Sequence, residues 1–585
     1  MPKYLCLNCD TSRPCQHDLA AMRGIRLPPD LTDCCLPCVV YGIRSHEVFA
    51  RSKEVEELCA TSEEKAFARA RNARLIMSND IPNMESDHVK PYCVWYPDIA
   101  SEDTYRELVK TYPDMAYTVG RACAVAGYDK LYQELDILPE VSIAEEAKDN
   151  ASSNGGSKAI FDHIMRQPVC YAVLDDYTRK TNLDNPSCPA FMNGDTAVRS
   201  LLGLRVGVDK YEAWSLAGGH YFDIVEDSCL TETVSEAGLG AIQPLPEEYD
   251  YLMYTPLPPH LPVTAKDALI LMAAYEGNLD RYTRLRRPKM IEHETKAVIR
   301  GVYHNTTFAK YWSRQTFPLK ERMLYGLDEI KRATIARFIM VNDLSQITPT
   351  DPAPNSMPGM IWWPLLPAEE TLRELVRRRP DMRLQAAMTC IEANYELLWD
   401  ELAPEPRWEL WKLAQRQFKT DARHPVRSYY TDYLERREAE TKEAAEVGDE
   451  DPVVKREGAR SPPYYGPSTI GHDLCEEAAR VDREPTTTLL VPGIYAHWLQ
   501  LDASIYAHQQ QLNLAGWELY ICSSEEMRRR ARDEGWFYVF NEDDYPPSLY
   551  PRHYPTRIAR KQEDCVKADA QLQGAGSASA DHSST

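Results

Sequence analysis

Glycine is scarce in this sequence, and so are the loops that glycine builds. The 585 residues include 26 glycines, which is about 4% where roughly 7% is usual. This composition argues against a turn-rich all-β chain. The Walker lysine loop, Gly-x-Gly-x-x-Gly and Gly-x-Ser-x-Gly are all missing from the sequence. The sequence therefore names no reaction, and we expect no cofactor.

Long apolar runs and basic patches are missing as well. No stretch of about 18 apolar residues occurs, and residues 1–6 lack the apolar core of a secretory signal. We therefore expect an intracellular, cytoplasmic protein that does not enter a membrane. Acidic residues outnumber basic ones by 89 to 67, for a net charge of −22. The longest basic runs, Arg377–Arg379 and Arg528–Arg530, lie among acidic residues, so we expect no nucleic-acid partner.

The sequence does contain a long internal duplication. Residues 95–135 align with residues 362–402 at a constant offset of 267, and 17 of the 41 aligned positions are identical. Chance would give only about two or three identities. The match continues upstream, because Arg74–Asp80 pairs with Arg337–Asp343 at five of seven positions. We therefore predict the same local structure for both copies.

Within a copy the apolar residues follow a helical period. A short amphipathic helix is expected before Pro113 and before Pro380, since the residue preceding proline avoids the α conformation. The next helix should end at Gly127 in copy one and at Asn394 in copy two, because these residue types accept the left-handed conformation of a helix C-cap. A further helix follows at once. Short helices joined by tight breaks are typical of stacked α-hairpins.

One segment shows this pattern most clearly and resembles the helix-turn-helix of an ankyrin repeat. Residues 267–282 contain the small pair Ala273-Ala274 and the break Gly277-Asn278. The family's Thr-Pro-Leu-His opening is replaced by Ala268–Leu271, and no strict 33-residue period continues. The resemblance implies a mainly α fold with two homologous, divergent ankyrin-like arrays; another α-hairpin solenoid or an unrelated helical bundle are the alternatives. Residues 40–440 are also similar to filamentous-fungal proteins of unassigned function.

Composition divides the chain into seven segments. We expect a Cys-rich N-terminal segment, two arrays separated by a connector, a disordered linker, a small β-α-β element and a disordered tail. The respective ranges are 1–39, 40–185 for copy one, 186–262 for the connector, 263–437 for copy two, 438–486, 487–559 and 560–585. Within copy one, residues 150–158 are expected to form a flexible insertion.

The N-terminal segment carries the strongest metal-like pattern. Two Cys-x-x-Cys pairs, Cys6 with Cys9 and Cys35 with Cys38, flank further cysteine and histidine residues, namely Cys15, His17 and Cys34. Such a set could hold one tetrahedral zinc ion. However, residues 35–40 align with a segment of copy two, 295–301, that has no cysteine and reads as a packed helix. We therefore expect free thiols and no bound metal, with zinc as the alternative.

Aromatic and arginine residues repeat at the same places in both copies. Trp95-Tyr96 corresponds to Trp362-Trp363, and Arg106 corresponds to Arg373. Tryptophan, tyrosine and arginine dominate the energetics of protein interfaces, so these six residues are candidates for partner binding. The alternative is that the aromatic residues act as a wedge that closes the helical stack.

A short motif in the expected linker offers a second kind of partner site. Pro462-Pro463-Tyr464-Tyr465 matches the Pro-Pro-x-Tyr ligand of WW domains, with Pro462, Pro463 and Tyr465 as the contact residues. An ordinary Pro/Tyr linker is the alternative. The sequence as a whole predicts a non-enzymatic interaction or scaffold protein that binds partners through helical-repeat surfaces. A zinc-binding regulator or an enzyme that uses the N-terminal Cys/His cluster is the alternative function.

Overall fold

The computed structural model describes most of the chain between residues 16 and 445. The described residues are 16–29, 31, 36–193, 206–207, 230–231, 245–262, 264, 266–287, 290–291, 294–316, 327–347, 357–362, 364–407, 410–411, 413–414 and 428–445. They belong to two compact units: unit 1 comprises residues 1–267 and 285–292, and unit 2 comprises residues 268–284 and 293–585. The described residues are mainly helical, as expected.

Unit 1 contains copy one of the duplication. Its helices are α1 (Gln16–Met22), α2 (Leu36–Ser45), α3 (Glu47–Ala50), α4 (Lys53–Thr61), α5 (Lys65–Met77), α6 (Glu102–Thr111), α7 (Ala116–Ala126), α8 (Asp129–Glu134), α9 (Val141–Asn150), α10 (Gly155–Met165) and α11 (Tyr251–Tyr254). Strands β1 (Leu174–Asp175) and β2 (Lys180–Thr181) form a short antiparallel hairpin. Strands β3 (Val206–Gly207) and β4 (Leu230–Thr231) pair in parallel.

Copy two forms most of the described part of unit 2. The helices are α12 (Asp267–Glu276), α13 (Leu279–Leu285), α14 (Glu294–His304), α15 (Thr306–Ser313), α16 (Leu327–Met340), α17 (Glu369–Arg378), α18 (Arg383–Ala393), α19 (Glu396–Leu402) and α20 (Ser428–Ala445). No helix in the described part of either unit is long and apolar enough to cross a membrane.

The two copies have the same helix order over their 41 aligned residues. Helices α6, α7 and α8 begin at residues whose partners, 267 positions on, begin α17, α18 and α19. A 3₁₀ turn at Pro113–Met115 and another at Pro380–Met382 precede the second helix of each set. The expected left-handed C-caps are confirmed, with φ of 76° at Gly127 and 57° at Asn394.

A second left-handed turn recurs upstream and fixes where the first helix of each set begins. Asn79 and Asn342 both have φ of 63°. The Asn79 Oδ1 accepts hydrogen bonds from the Ser101 backbone N–H at 2.7 Å and the Thr104 hydroxyl at 2.9 Å. In copy two the equivalent Asn342 oxygen accepts from Ala368 and Thr371 at the same distances. One asparagine side chain therefore positions α6, and its counterpart positions α17.

The structure extends the similarity toward the N-terminus. Gly42 in α2 lies against the carbonyl oxygen of Ala21 in α1, and Gly301 in α14 lies against that of Ala274 in α12. A side chain at either glycine would collide with the neighbouring helix, so both helix pairs depend on this close approach. Helix α1 therefore packs on α2 in the core of unit 1. The boundary expected between residues 39 and 40 falls inside α2.

The structure differs from the sequence-based expectations at residues 150–158 and at the C-terminal end of copy two. Within residues 150–158, where we expected a flexible insertion, Asn154 caps α10 and its Nδ2 donates to the Ala126 carbonyl at 2.7 Å. Helix α20 continues to Ala445, past the expected start of the disordered linker at residue 438. The rest of the linker, the β-α-β element at 487–559 and the tail lie outside the described residues, and the ankyrin-like character of the hairpins stays a prediction.

We predict that Gly127→Val lowers the stability of unit 1 by about 1 kcal/mol or more, the cost of a β-branched residue in the left-handed conformation. The new Cβ would also overlap the Asn154 amide. Gly155→Ala is the matched control at the same junction, because its methyl group would enter open space. Thermal unfolding should show a lower midpoint for Gly127→Val alone; an unchanged midpoint would contradict the tight helix break.

Candidate functional site

Two of the three tryptophans proposed for partner binding, Trp95 and Trp362, are buried. Trp95 is 4% exposed and Trp362 is 3% exposed, which leaves little indole surface for a partner and fits the alternative role as a wedge. Tyr96 is partly buried. Trp363 lies outside the described residues, as do all the residues of the Pro-Pro-x-Tyr motif: Pro462, Pro463 and Tyr465.

Arg106 and Arg373 brace neighbouring helices in the same way. The Arg106 guanidinium bonds Glu134 of α8 and Glu102 of its own helix α6, each at 2.7 Å. Arg373 repeats this arrangement with two glutamates of copy two, Glu401 at 2.6 Å and Glu369 at 3.1 Å. All these partners are identical in the two copies, a signal that could have revealed the braces from sequence.

These ion pairs also favour the ionised form of the glutamates that they contain. The hydrogen bonds from Arg106 hold the pKa of Glu134 below its usual range, and those from Arg373 do the same for Glu401. Both arginine side chains are partly exposed, at 29% and 37%. Because carboxylates of the same unit accept hydrogen bonds from each guanidinium, each arginine serves first to position its helices.

An exposed aliphatic side chain precedes the braced helix in each copy. Ile99 is 42% exposed, and its equivalent Leu366 is 46% exposed. We call these two residues the paired aliphatic sites. Large aliphatic side chains at the surface are common singly, but these two are exposed to nearly the same extent at equivalent positions. Sequence reasoning missed them, because a pairing of isoleucine with leucine does not count among the identities.

Unit 1 also encloses a group of charged and aromatic residues that we call the buried charge cluster. At its centre the Arg121 guanidinium of α7, which is fully buried, bonds both carboxylate oxygens of Asp176, at 2.6 and 3.2 Å. The Tyr92 hydroxyl donates to the same Asp176 at 2.7 Å. Arg121 Cζ lies 5.2 Å from the centre of the Trp95 ring. The remaining members are two glutamates, Glu140 and Glu146.

The cluster contains three carboxyl groups, those of Asp176, Glu140 and Glu146, and one guanidinium, that of Arg121. Glu146 Oε1 lies 3.3 Å from Arg121 Nε, so this one guanidinium faces carboxylates from two sides. Glu140 is buried behind them and accepts backbone hydrogen bonds from Ile143 at 2.8 Å and Leu174 at 3.5 Å. Burial, which disfavours its charged form, raises the pKa of Glu140 to about 7.

Copy two does not reproduce this chemistry. The position of Arg121 is taken by Met388, which is fully buried in α18. The same helical scaffold therefore buries a cation at this point of unit 1 and an apolar side chain at the equivalent point of unit 2.

The zinc alternative is untested at most of its ligands. Cys38 is fully buried in α2, and His17 lies in α1. The other members, Cys6, Cys9, Cys15, Cys34 and Cys35, lie outside the described residues. Within the described part of the chain, no group of three or more His, Cys, Asp or Glu side chains is arranged to hold a metal ion.

Comparison with known proteins gives one partial likeness. The family model described as the YKP1 C-terminal domain matches residues 95–200, well under half of the chain. The matched stretch contains α6 to α10 and the β1–β2 hairpin, and with them Trp95, Arg121, Glu140, Glu146 and Asp176. No curated protein and no solved structure matches the chain.

We predict that Arg121→Met destabilises unit 1 by about 3–5 kcal/mol, although copy two has methionine at this position. The substitution leaves Asp176 buried without its cation, which costs far more than the lost pair itself. Arg106→Met on the adjacent helix is the matched control, since partly exposed ion pairs contribute little. Denaturant unfolding should separate the two variants clearly, and equal losses would contradict the ionic core.

Proposed function

We propose that the chain is a non-enzymatic interaction protein whose two helical copies each bind a protein segment. The paired aliphatic sites carry this proposal, because Ile99 and Leu366 place an apolar side chain at the same exposed point of both copies. Stacked helical hairpins provide extended surfaces of this kind without any cofactor.

The surroundings of Ile99 favour binding because they are rigid. Its neighbour Asp98 pairs with Arg74 at 2.6 Å, and the Ser101 N–H that follows is held by Asn79. A site that is already ordered loses little conformational entropy when a partner docks. In copy two, Asn342 and the Arg373 brace support Leu366 similarly, and the adjacent Leu365 is 42% exposed.

The cytoplasm is the location we propose for this activity. Every cysteine in the described part of the chain is a free thiol, and such thiols are typical of a reducing compartment. The proposal includes a second kind of contact, in which Pro462, Pro463 and Tyr465 bind a WW domain.

We predict that the double variant Ile99→Ser, Leu366→Ser weakens partner capture by the full-length chain at least about tenfold, since each exchange removes apolar surface of the order of one buried side chain. Leu138→Ser and Leu397→Ser are matched controls. Both leucines are exposed, at 39% and 74%, but the residues 267 positions away from them are Glu405 and Lys130. Quantitative crosslinking of partners in cells measures the effect.

The outcome is decisive only if all variants stay folded, which an unchanged thermal midpoint checks. Capture that survives the double variant, or that falls equally in the two control variants, would contradict binding at the paired aliphatic sites.

We predict that Tyr465→Ala abolishes capture by a purified WW domain, because the tyrosine is a defining contact of the Pro-Pro-x-Tyr ligand. Tyr464→Ala is the control, since this residue occupies the variable position of the motif. Both variants should keep the wild-type melting temperature. If Tyr465→Ala still binds the WW domain, the motif is an ordinary linker sequence.

A further inference from the structure

The β1–β2 hairpin of unit 1 is too small to be stable by itself. Its strands contain two residues each, and short isolated hairpins are marginal in water. The hairpin therefore depends on contacts that residues 171–182 make with the helices. We call these residues the hairpin segment.

Two groups of contacts attach the hairpin segment to the helices. Backbone hydrogen bonds join Tyr171 to the start of α9: its N–H donates to the Pro139 carbonyl at 2.8 Å, and its carbonyl accepts from Val141 at 2.9 Å. Farther along, the Asp176 carboxylate bonds Arg121 and Tyr92. The buried charge cluster is thus a polar side-chain attachment of this segment, beside the apolar packing of Val173 and Leu174 in the core.

Glu140 lies between these two attachments. Its carboxylate caps α9 through the Ile143 N–H and also accepts from Leu174 of the hairpin segment. When ionised, it adds a buried negative charge beside the Asp176 carboxylate, and Arg121 is the cation of the cluster that offsets both. When Glu140 is protonated, it is neutral, and Arg121 then offsets only the carboxylates of Asp176 and Glu146.

Charged and titratable groups face Glu140 from every element packed around it. They are Arg121 and Tyr117 of α7, Tyr132 of α8, Glu146 of α9, Cys170 before β1, Asp176 after β1, and Tyr92 before α6. The α10 imidazole of His163 contacts the Tyr132 ring at 6.0 Å between centroids. Arg121 is the cation of this set that acts directly on Glu140.

We propose that Glu140 is a proton-operated switch that controls how firmly the hairpin segment is docked on the helices of unit 1. Uptake of one proton favours the docked state, and loss of the proton weakens docking. The device is specific to unit 1, because copy two has Met388 in place of the central arginine.

The pH window follows from the sign of the shift. Burial raises the pKa of Glu140 to about 7 in the docked state. In the proposed undocked state Glu140 is exposed to water, and an exposed glutamate titrates at about 4.3. Between these values the undocked state has already lost its proton and the docked state still holds it. Docking therefore weakens as pH rises through this interval, by about tenfold per pH unit, and levels off above about pH 7, where both states are ionised.

Hydrogen–deuterium exchange of the full-length protein tests the switch. From about pH 5 to about pH 7, protection of amides 171–182, corrected for the intrinsic pH dependence of exchange, should fall about fortyfold in the wild type. Glu140→Gln keeps the α9 cap but cannot ionise, so its protection should not follow pH. His163→Gln is the control for the nearby histidine and should behave like the wild type.

Two results with the variants would overturn the proposal: equal pH dependence in the wild type and Glu140→Gln, or loss of the dependence in His163→Gln. If Glu140→Gln does not fold, the wild type alone still decides, because the fall must be confined to the hairpin segment and the start of α9. An equal fall across α6 and across α17 would show a general loss of stability and would refute a local switch.

Discussion

One fully buried guanidinium determines how unit 1 is assembled. Arg121 stays charged at any physiological pH, so its burial is tolerable only if carboxylates and hydrogen-bond acceptors surround it. Asp176 supplies the closest pair, Tyr92 completes the hydrogen bonding of that aspartate, and the Trp95 ring lies beside the cation. Because these partners come from separate parts of the chain, satisfying one charge joins a loop, a helix and the hairpin segment into one core.

Copy two shows which parts of the module are independent of this charge. It has the same left-handed turns, the same arginine braces and an exposed aliphatic residue at the same point, yet Met388 replaces the guanidinium. The features common to both copies hold helices together and present a surface. The ionic core is an addition in unit 1 that ties the hairpin segment to that scaffold and gives it a dependence on protons.

Much of the helical architecture could be predicted from sequence, because local rules fix it. Prolines at 113 and 380, and the residue types at Gly127 and Asn394, determine helix ends through backbone geometry alone. Because the chain contains two copies, the same helix-end signals occur twice and support each other. The expected start of the disordered linker at residue 438 falls inside α20, which continues to Ala445. Composition alone does not show that the Glu438 side chain is buried against the rest of the unit.

The candidate sites were harder to predict, since they depend on contacts between distant residues. Arg121 and Asp176 are 55 positions apart, and neither belongs to a recognisable motif. The tryptophans looked like interface residues by type, but burial depends on the tertiary packing around them. Ile99 and Leu366 are ordinary aliphatic residues, and only their exposure in the structure makes them candidates.

The charge state of Glu140 is the most direct test of this account. Infrared spectroscopy of the wild type minus Glu140→Gln, recorded from about pH 5 to about pH 9, isolates the C=O stretch of this one carboxylic acid if it is protonated. We predict a protonated carboxyl band that persists above the range of an exposed glutamate and disappears near about pH 7. A difference spectrum without that band at about pH 6 would show that Glu140 is ionised there, and would contradict the raised pKa on which the proton switch depends.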